Sequence, residues 1–137
     1  AGHDALGTFA PKFAELNDDV LFGEVWSREK QLSLRDRSIV TVTALMAQGL
    51  TDSSFKYHLE TAKKNGITGE EMAEILTHAA FYAGWSKAWA AFRMAKEVYA
   101  EYAANNLIYP LGNLLNLDFA EMNYSLIVEK IIYLHET

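Results

Sequence analysis

One histidine and two arginines are the residues of this chain that could do chemistry together. His58 lies one position before Leu59 in an apolar stripe, and an imidazole titrates near neutral pH. Arg28 and Arg37 carry guanidinium groups, which bind carboxylates through two parallel hydrogen bonds. Arg35 is a third candidate, but we expect it to pair with an acid at the surface. A pocket shared by these groups could bind a carboxylate and transfer a proton. The structural alternative stays open, because a histidine beside an apolar face is often a hydrogen-bonded core residue and a helix-start arginine often pairs with a surface acid.

Other side chains are candidates for lining or supporting the same pocket. Its walls could be formed by three aromatic residues: Trp26, Tyr82 and Trp85. Aromatic residues at helical spacing more often pack in a core, so this role has a plain structural alternative. Glu24 could orient His58 or Arg37 as a supporting acid, and its alternative is an exposed loop carboxylate. His78 either lines the pocket or makes a hydrogen bond inside a helical bundle.

Three successive helices between residues 33 and 84 must position these groups. Ser33, with Asp36 three positions later, predicts the start of the first helix. The hydroxyl accepts a free backbone N–H there, and the carboxylate lies at the positive end of the helix dipole. Residues 39–46 are mostly apolar or small, and Gly49 is a typical stop. We therefore expect a buried helix of about four turns.

The second and third helices carry a clear helical periodicity. Residues 52–64 predict an amphipathic helix with one apolar stripe: Phe55, Leu59 and Ala62. Thr68 and Glu71 then form a capping box for a helix that runs to Gly84. Its predicted core positions are Met72, Ile75, Leu76, Ala79 and Ala80. The tight links between the three helices predict a compact bundle.

The flanking segments are also largely helical in pattern. Residues 6–22 predict an N-terminal helix in which Pro11 is tolerable only in the first turn. After Trp85 the periodicity predicts a long packing helix.

The C-terminal part of the chain has a different character. Beyond Asn105, asparagine, proline and glycine predict an irregular link, and residues 119–134 predict a last helix. We expect a helical domain at residues 1–104 and a C-terminal segment at residues 105–137. That segment cannot form a core alone, so it should dock on the domain or on a neighbouring subunit.

Length and composition exclude several classes of function. With 137 residues, the chain is long enough for one domain with its own core. It has no cysteine, which excludes disulfides, thiolate metal sites and thiol nucleophiles. A net charge of -6 and a pI near 5.1 disfavour nucleic acid or an anionic membrane as a partner. Without a long apolar run or a signal-peptide pattern, we expect a cytoplasmic protein.

Four ordered blocks of the sequence resemble those of the carboxymuconolactone decarboxylase family. They are FGEVWSR at 22–28, RDRSIVT at 35–41, YHL at 57–59 with NGIT at 65–68, and EIL at 74–76 with YAGW at 82–85. The resemblance covers residues 22–92. It implies an all-α bundle of about six helices with the alkyl hydroperoxidase D-like fold, assembled as a homo-oligomer such as a hexamer or a trimer.

This superfamily also has a peroxidase branch, whose chemistry the sequence excludes. The resemblance places that branch's C-x-x-C-x-x-x-H motif at Thr51, Ser54 and His58. Peroxide reduction needs a thiolate of low pKa and a resolving thiol. Because a hydroxyl cannot cycle through a disulfide, thiol peroxidase activity is excluded and only the histidine is retained.

Resemblance to the decarboxylase branch implies a carboxy-lyase that uses no cofactor. The implied substrate is a small carboxylated lactone, similar to 4-carboxymuconolactone, from the breakdown of aromatic compounds. Loss of carbon dioxide leaves an electron pair that delocalises onto the lactone carbonyl oxygen, and the resulting dienolate is protonated on carbon. Such an enzyme needs a cation for the remaining carboxylate, a hydrogen-bond donor for the oxyanion and a proton source.

The candidate residues can be assigned to these needs. His58 would stabilise or protonate the dienolate, and Glu24 would orient it. Arg37 or Arg28 would bind a carboxylate. Substrate-binding positions would include Trp26, His78, Tyr82 and Trp85. A metal is not expected, because the histidines lack a tight ligand set such as H-E-x-x-H. The alternative function is a non-catalytic family member that binds a small aromatic or lactone-like ligand as an oligomeric accessory protein.

Overall fold

The computed structural model of the protein describes the backbone of residues 1–114 and 124–136 and the side chains of residues 1–100 and 128–135. Within these ranges every regular element is a helix, which confirms the all-α fold class. The elements are α1 Gly2–Leu6, α2 Pro11–Glu15, a π-helix Leu16–Val25, α3 Leu34–Ala47, α4 Ser53–Lys64, α5 Gly69–Ala83, α6 Trp85–Leu114 and α7 Tyr124–Glu136. None of these described helices is long and apolar enough to cross a bilayer.

The chain forms two compact units, Ala1–Phe92 and Arg93–Thr137. The first unit contains α3, α4 and α5, and α3 packs against both of the other helices. The second unit contains the C-terminal part of α6 together with α7. The boundary at residue 104 and the docking of residues 105–137 stay predictions.

The helix α3 begins where the sequence predicts, but only one of its faces is buried. Ser33 Oγ accepts a hydrogen bond from the Asp36 backbone N–H at 3.0 Å. The buried stripe is Ser38, Val42 and Met46. Val40, on another face, is 60% exposed. The predicted burial of this helix therefore holds for one stripe only, because a helix that packs against neighbours on one side exposes the other.

The predicted apolar stripe of α4 and the predicted capping box of α5 are confirmed, and the structure adds a cap at the start of α4. Asp52 Oδ1 accepts from the Ser54 N–H at 3.0 Å at the start of α4. The Thr68 hydroxyl and the Glu71 carboxylate form the reciprocal capping box of α5, at 3.1 and 3.2 Å. All three stripe residues of α4 are fully buried: Phe55, Leu59 and Ala62. The buried residues of α5 are Met72, Leu76, Ala79 and Ala80, whereas Ile75 is only partly buried.

Three polar contacts fix the first turns of α3 against its neighbours. Asn65, at the end of α4, donates its side-chain N–H to the buried Ser38 hydroxyl at 2.9 Å and to the Leu34 carbonyl at 3.3 Å. Arg35 forms an ion pair with Glu71 of α5. The turn that carries one of the candidate arginines is therefore held from both sides.

The N-terminal segment differs from its prediction. Instead of one helix over residues 6–22, α2 ends at Glu15 and a π-helix continues to Val25. Pro11 lies in the first turn of α2, as expected, and without an N–H it cannot continue α1. The π-helix closes i→i+5 hydrogen bonds, and its last one runs from the Trp26 N–H to the Leu21 carbonyl at 3.0 Å. A search for a 3.6-residue period does not anticipate this winding.

The helix α6 is longer than predicted. It begins directly after Gly84, whose φ of 121° ends α5, and it continues to Leu114. The expected irregular link after Asn105 is therefore wrong up to residue 114. Pro110 lies inside the helix. A proline removes one backbone N–H and can kink a helix, but it does not always end one. The predicted last helix corresponds to α7, and its residues 119–123 lie outside the described residues.

Candidate active site

The position of His58 is set by the core stripe of α4. Phe55 and Leu59 on either side of it are fully buried, and His58 itself is half-buried at the edge of that stripe. Its Nδ1 is buried and has no hydrogen-bond partner. Burial lowers the pKa of the His58 imidazole below its ordinary value. The imidazole is therefore neutral at neutral pH and carries a single N–H.

Four rings, one of which is the His58 imidazole, pack against one another. We call Phe22, Trp26, Tyr57 and His58 the aromatic quartet. The Trp26 indole stacks on His58 with ring centroids 6.2 Å apart and an interplanar angle of 14°. Phe22 stacks on Trp26 at 6.2 Å and 17°. The Tyr57 ring stands nearly perpendicular to both His58 (5.2 Å, 79°) and Phe22 (6.5 Å, 90°). The four contacts close a ring of side chains.

The π-helix places two members of the quartet on one side. Phe22 and Trp26 lie four positions apart at its C-terminal end, and their side chains stack. Trp26 is the residue that ends this helix. Rare π-helical turns occur frequently at functional sites. The π-helix therefore places the Trp26 indole against His58 of α4.

Arg37 reaches the same turn from α3. Its Nη2 donates to the Arg28 carbonyl at 3.0 Å, two positions after Trp26. Its Nε is buried and unpartnered. Among the described side chains, the buried nitrogen and oxygen atoms without a partner are this Nε and His58 Nδ1. A guanidinium and an imidazole, each with a polar atom unused by the protein, thus converge on the turn at residues 26–28.

The remaining residues of the first candidate group lie at the surface of this turn. Glu24 is exposed on the π-helix, and its backbone carbonyl accepts from Ser27 Oγ at 2.8 Å. Because His58 Nδ1 has no partner, Glu24 does not orient the imidazole through that nitrogen. The Arg28 side chain is exposed, and its backbone carbonyl is the acceptor for Arg37. The assigned roles of Glu24 and Arg28 stay predictions.

His78 and Tyr82 lie in a different groove. Their rings are 5.2 Å apart, tilted by 40°, and both side chains are exposed. They line a groove of about 940 Å³ between α3 and α5, together with Ile39, Thr43, Ala47, Glu74, Ile75, Ala79, Ala83 and Lys87. The Lys87 ammonium donates to the Ala47 carbonyl at 2.8 Å. No member of the aromatic quartet lines this groove.

Trp85 lies in a third place. It is 60% exposed and contacts Phe81 edge-on, with ring centroids 5.9 Å apart. It lines a small apolar cavity of about 230 Å³ with Thr77, Ala80, Ala88, Trp89 and Phe92. The structure therefore brings Trp26, Arg28, Arg37 and His58 together and distributes His78, Tyr82 and Trp85 over two other surfaces.

Phe22 and Tyr57 contact the candidate site residues Trp26 and His58 but were not among the residues predicted for the site. Phe22 precedes Trp26 by four positions, and Tyr57 is adjacent to His58. An aromatic pair at i and i+4 was the available signal for Phe22. Tyr57 had no such signal, because adjacent residues of a straight helix point in different directions.

Metal-ligating groups do not gather in the described part of the chain. Within residues 1–100 and 128–135, no three His, Asp or Glu side chains lie close enough together to hold a metal ion.

The sequence profile of the Carboxymuconolactone decarboxylase family matches residues 11–97, more than half of the chain. The matched span includes the π-helix, the aromatic quartet and Arg37. The protein therefore belongs to the carboxymuconolactone decarboxylase family. One relative is the 4-carboxymuconolactone decarboxylase of Acinetobacter baylyi. It is 36% identical over 96 residues, which cover 70% of this chain and 70% of that protein.

Proposed function

We propose that the protein is a cofactor-independent decarboxylase of a small carboxylated lactone, similar to 4-carboxymuconolactone, in the catabolism of aromatic compounds. The observation that carries the proposal is the pair of buried, unpartnered nitrogens, Arg37 Nε and His58 Nδ1, on two side chains that contact one turn. Buried polar groups are normally hydrogen-bonded, so these two atoms without a partner distinguish Arg37 and His58 from side chains that only support the fold. Family membership and the named relative support the reaction class.

Arg37 is proposed to bind the carboxylate that the substrate keeps. Its guanidinium is half-buried, and Nη2 is already fixed to the Arg28 carbonyl. A guanidinium held in this way loses little further side-chain entropy when it binds a carboxylate through its other N–H groups. Binding the part of the substrate that does not react places the departing carboxylate and the lactone carbonyl in a fixed position.

His58 is proposed to act as a neutral imidazole. When the bond from the ring carbon to the departing carboxylate breaks, its electron pair moves to the lactone carbonyl oxygen and carbon dioxide leaves. The imidazole N–H donates a hydrogen bond to that oxygen, where negative charge develops. A water molecule then protonates the dienolate carbon, and the hydroxide that it leaves is neutralised by a proton from the solvent, which completes the reaction. Burial, which keeps the imidazole neutral, favours the donor role.

The direct experiment is the release of carbon dioxide from 4-carboxymuconolactone by the purified protein, with the uncatalysed rate subtracted. Release well above the background supports the proposed lyase. A folded protein that releases none contradicts the proposed substrate, while family membership and fold are unaffected.

A second candidate function is the binding of a small aromatic or lactone-like ligand without turnover. The groove between α3 and α5 favours it, because it combines apolar residues with His78, Tyr82 and Glu74, and its size suits a small ligand. Saturable binding of the lactone that Tyr82→Ala weakens, without release of carbon dioxide, would support this function over the lyase.

We also propose that the protein is a homo-oligomer. Four large aromatic side chains at the junction of α5 and α6 are exposed: Phe81 (78%), Tyr82 (84%), Trp85 (60%) and Trp89 (57%). The Phe81 and Trp85 rings are in contact, and Trp85 and Trp89 line one cavity. Exposed apolar patches mark interaction sites. A second copy of the chain is the proposed occupant, in agreement with the assembly that the family resemblance implies.

A further inference from the structure

A catalytic imidazole must be held in one orientation, and a hydrogen bond to its second nitrogen commonly does this. His58 lacks that support at Nδ1, which is buried and has no partner. Its nearest described ring neighbours are Trp26 and Tyr57. What limits rotation of the imidazole about its Cβ–Cγ bond is therefore ring packing.

The geometry of the quartet suits this task. The Trp26 indole lies nearly parallel to the imidazole, at 14°, and the Tyr57 ring stands across it at 79°, so two neighbours at nearly right angles limit rotation of the ring. Phe22 contacts both of these neighbours and links them. Parallel-offset and edge-to-face contacts are the arrangements that aromatic rings prefer.

Core packing does not account for Tyr57. Its side chain is 53% exposed, whereas the core stripe of α4 follows Phe55, Leu59 and Ala62. The Tyr57 ring is therefore largely exposed to solvent and adds little to the core. Its contacts with His58 and Phe22 are the interactions that explain its position.

We propose that Phe22 and Tyr57 are positioning residues, which together with Trp26 hold the plane of the His58 imidazole in place of a hydrogen bond at Nδ1. The proposal rests on the proposed catalytic role of His58. It requires the ring of Tyr57 and not its hydroxyl, because the contact to His58 is made by the ring.

The test compares Tyr57→Leu and Phe22→Leu with Tyr57→Phe, which keeps the ring. Phe13→Leu is the matched control, because Phe13 is a 61% exposed aromatic residue outside the quartet. One readout is the set of imidazole C–H resonances, in which His58 is assigned by its loss in His58→Gln and the other three of the four histidines serve as internal references. The second readout is kcat and KM for lactone decarboxylation.

In Tyr57→Leu and Phe22→Leu we expect the His58 resonances to shift while those of the other histidines stay in place. We expect kcat to fall about tenfold to a hundredfold with KM nearly unchanged, because misplacing a catalytic group slows chemistry more than binding. Tyr57→Phe and Phe13→Leu should match the unmodified protein in both readouts.

Unchanged His58 resonances in both leucine variants would overturn the proposal, and so would shifted resonances with an unchanged kcat. A Tyr57→Phe variant as impaired as Tyr57→Leu would assign the effect to the hydroxyl and would also contradict it. If the unmodified protein does not turn over the lactone, the proposed function has failed. The resonances then report separately whether these rings hold His58.

Discussion

The indole of Trp26 lies parallel to the imidazole of His58, with ring centroids 6.2 Å apart and planes inclined by 14°. This contact joins the end of the π-helix to the second turn of α4. The turn after the π-helix, at residues 26–28, also accepts the hydrogen bond of Arg37, through the Arg28 carbonyl. The candidate cation and the candidate donor are therefore positioned by one short segment, and changes in that segment should affect both.

The buried imidazole should make stability depend on pH. Burial lowers the pKa of His58 in the folded protein, so below the ordinary value of about 6.5 the unfolded chain takes up this proton more readily. The stability contributed by the neutral imidazole is present above that pH and is lost as the pH falls through the folded-state pKa. Urea unfolding at about pH 7.5 and about pH 5.5 should show this loss.

His58→Gln should lose less stability than the unmodified protein over the same interval. His135→Gln, the same change at an exposed position of α7, is the control. Equal losses in the unmodified protein and His58→Gln would show that other groups cause the pH dependence.

The amide of Asn65 should contribute measurably to folding. Its removal in Asn65→Ala leaves the buried Ser38 hydroxyl without its 2.9 Å partner, and an unsatisfied buried polar group costs about 1–3 kcal/mol. The free energy of unfolding in urea measures this. Gln48→Ala removes an exposed amide that donates to the Ala44 carbonyl at 3.1 Å, and it should cost less than about 0.5 kcal/mol. Similar losses in the two variants would contradict this account of the α3–α4 contact.

Substitution of Arg37 should weaken substrate binding even when the charge is kept. Arg37→Lys retains a cation but loses the planar fork, so KM should rise about tenfold to a hundredfold, the equivalent of one charge-assisted hydrogen bond. Arg93→Lys makes the same change at an exposed position of α6 and should have the kinetics of the unmodified protein. An unchanged KM in Arg37→Lys would assign carboxylate binding to another residue, of which Arg28 is the nearest candidate.

The exposed aromatic surface should be buried in an oligomer. Light scattering after size exclusion should give a mass that is a multiple of the 15.4 kDa chain. Phe81→Asp and Trp89→Asp should lower that mass, because they place a charge in the exposed patch. Leu50→Asp changes an apolar residue that is 47% exposed in the loop before α4, and it should leave the mass unchanged. A monomeric protein would contradict the proposed assembly.

Local signals made α4 and α5 predictable. Asp52, Thr68 and Glu71 cap these helices through contacts that span two or three positions, and the apolar stripe of α4 is buried as its spacing requires. Such contacts are encoded within a few residues of sequence. The π-helix and the continuation of α6 to Leu114 were not predictable in this way, because they depart from the ordinary winding and end signals of a helix.

The site was predictable only in part, because convergence of side chains depends on how helices pack. The sequence identified His58, Trp26 and Arg37, and the structure brings them to one turn. It also grouped His78 and Tyr82 with them, whereas packing of α3 against α5 places these two in a separate groove. Tyr57 was missed because its contact with Phe22 joins segments 35 positions apart along the sequence.

The most direct test is the rate of carbon dioxide release from 4-carboxymuconolactone by the unmodified protein, His58→Gln and His135→Gln. We expect release well above the background from the unmodified protein and from His135→Gln. For a folded His58→Gln we expect kcat to fall by about 10²–10³, the effect of removing one donor to a developing oxyanion. An unmodified rate in His58→Gln would contradict the central role of His58, and the absence of release from every form would contradict the proposed reaction.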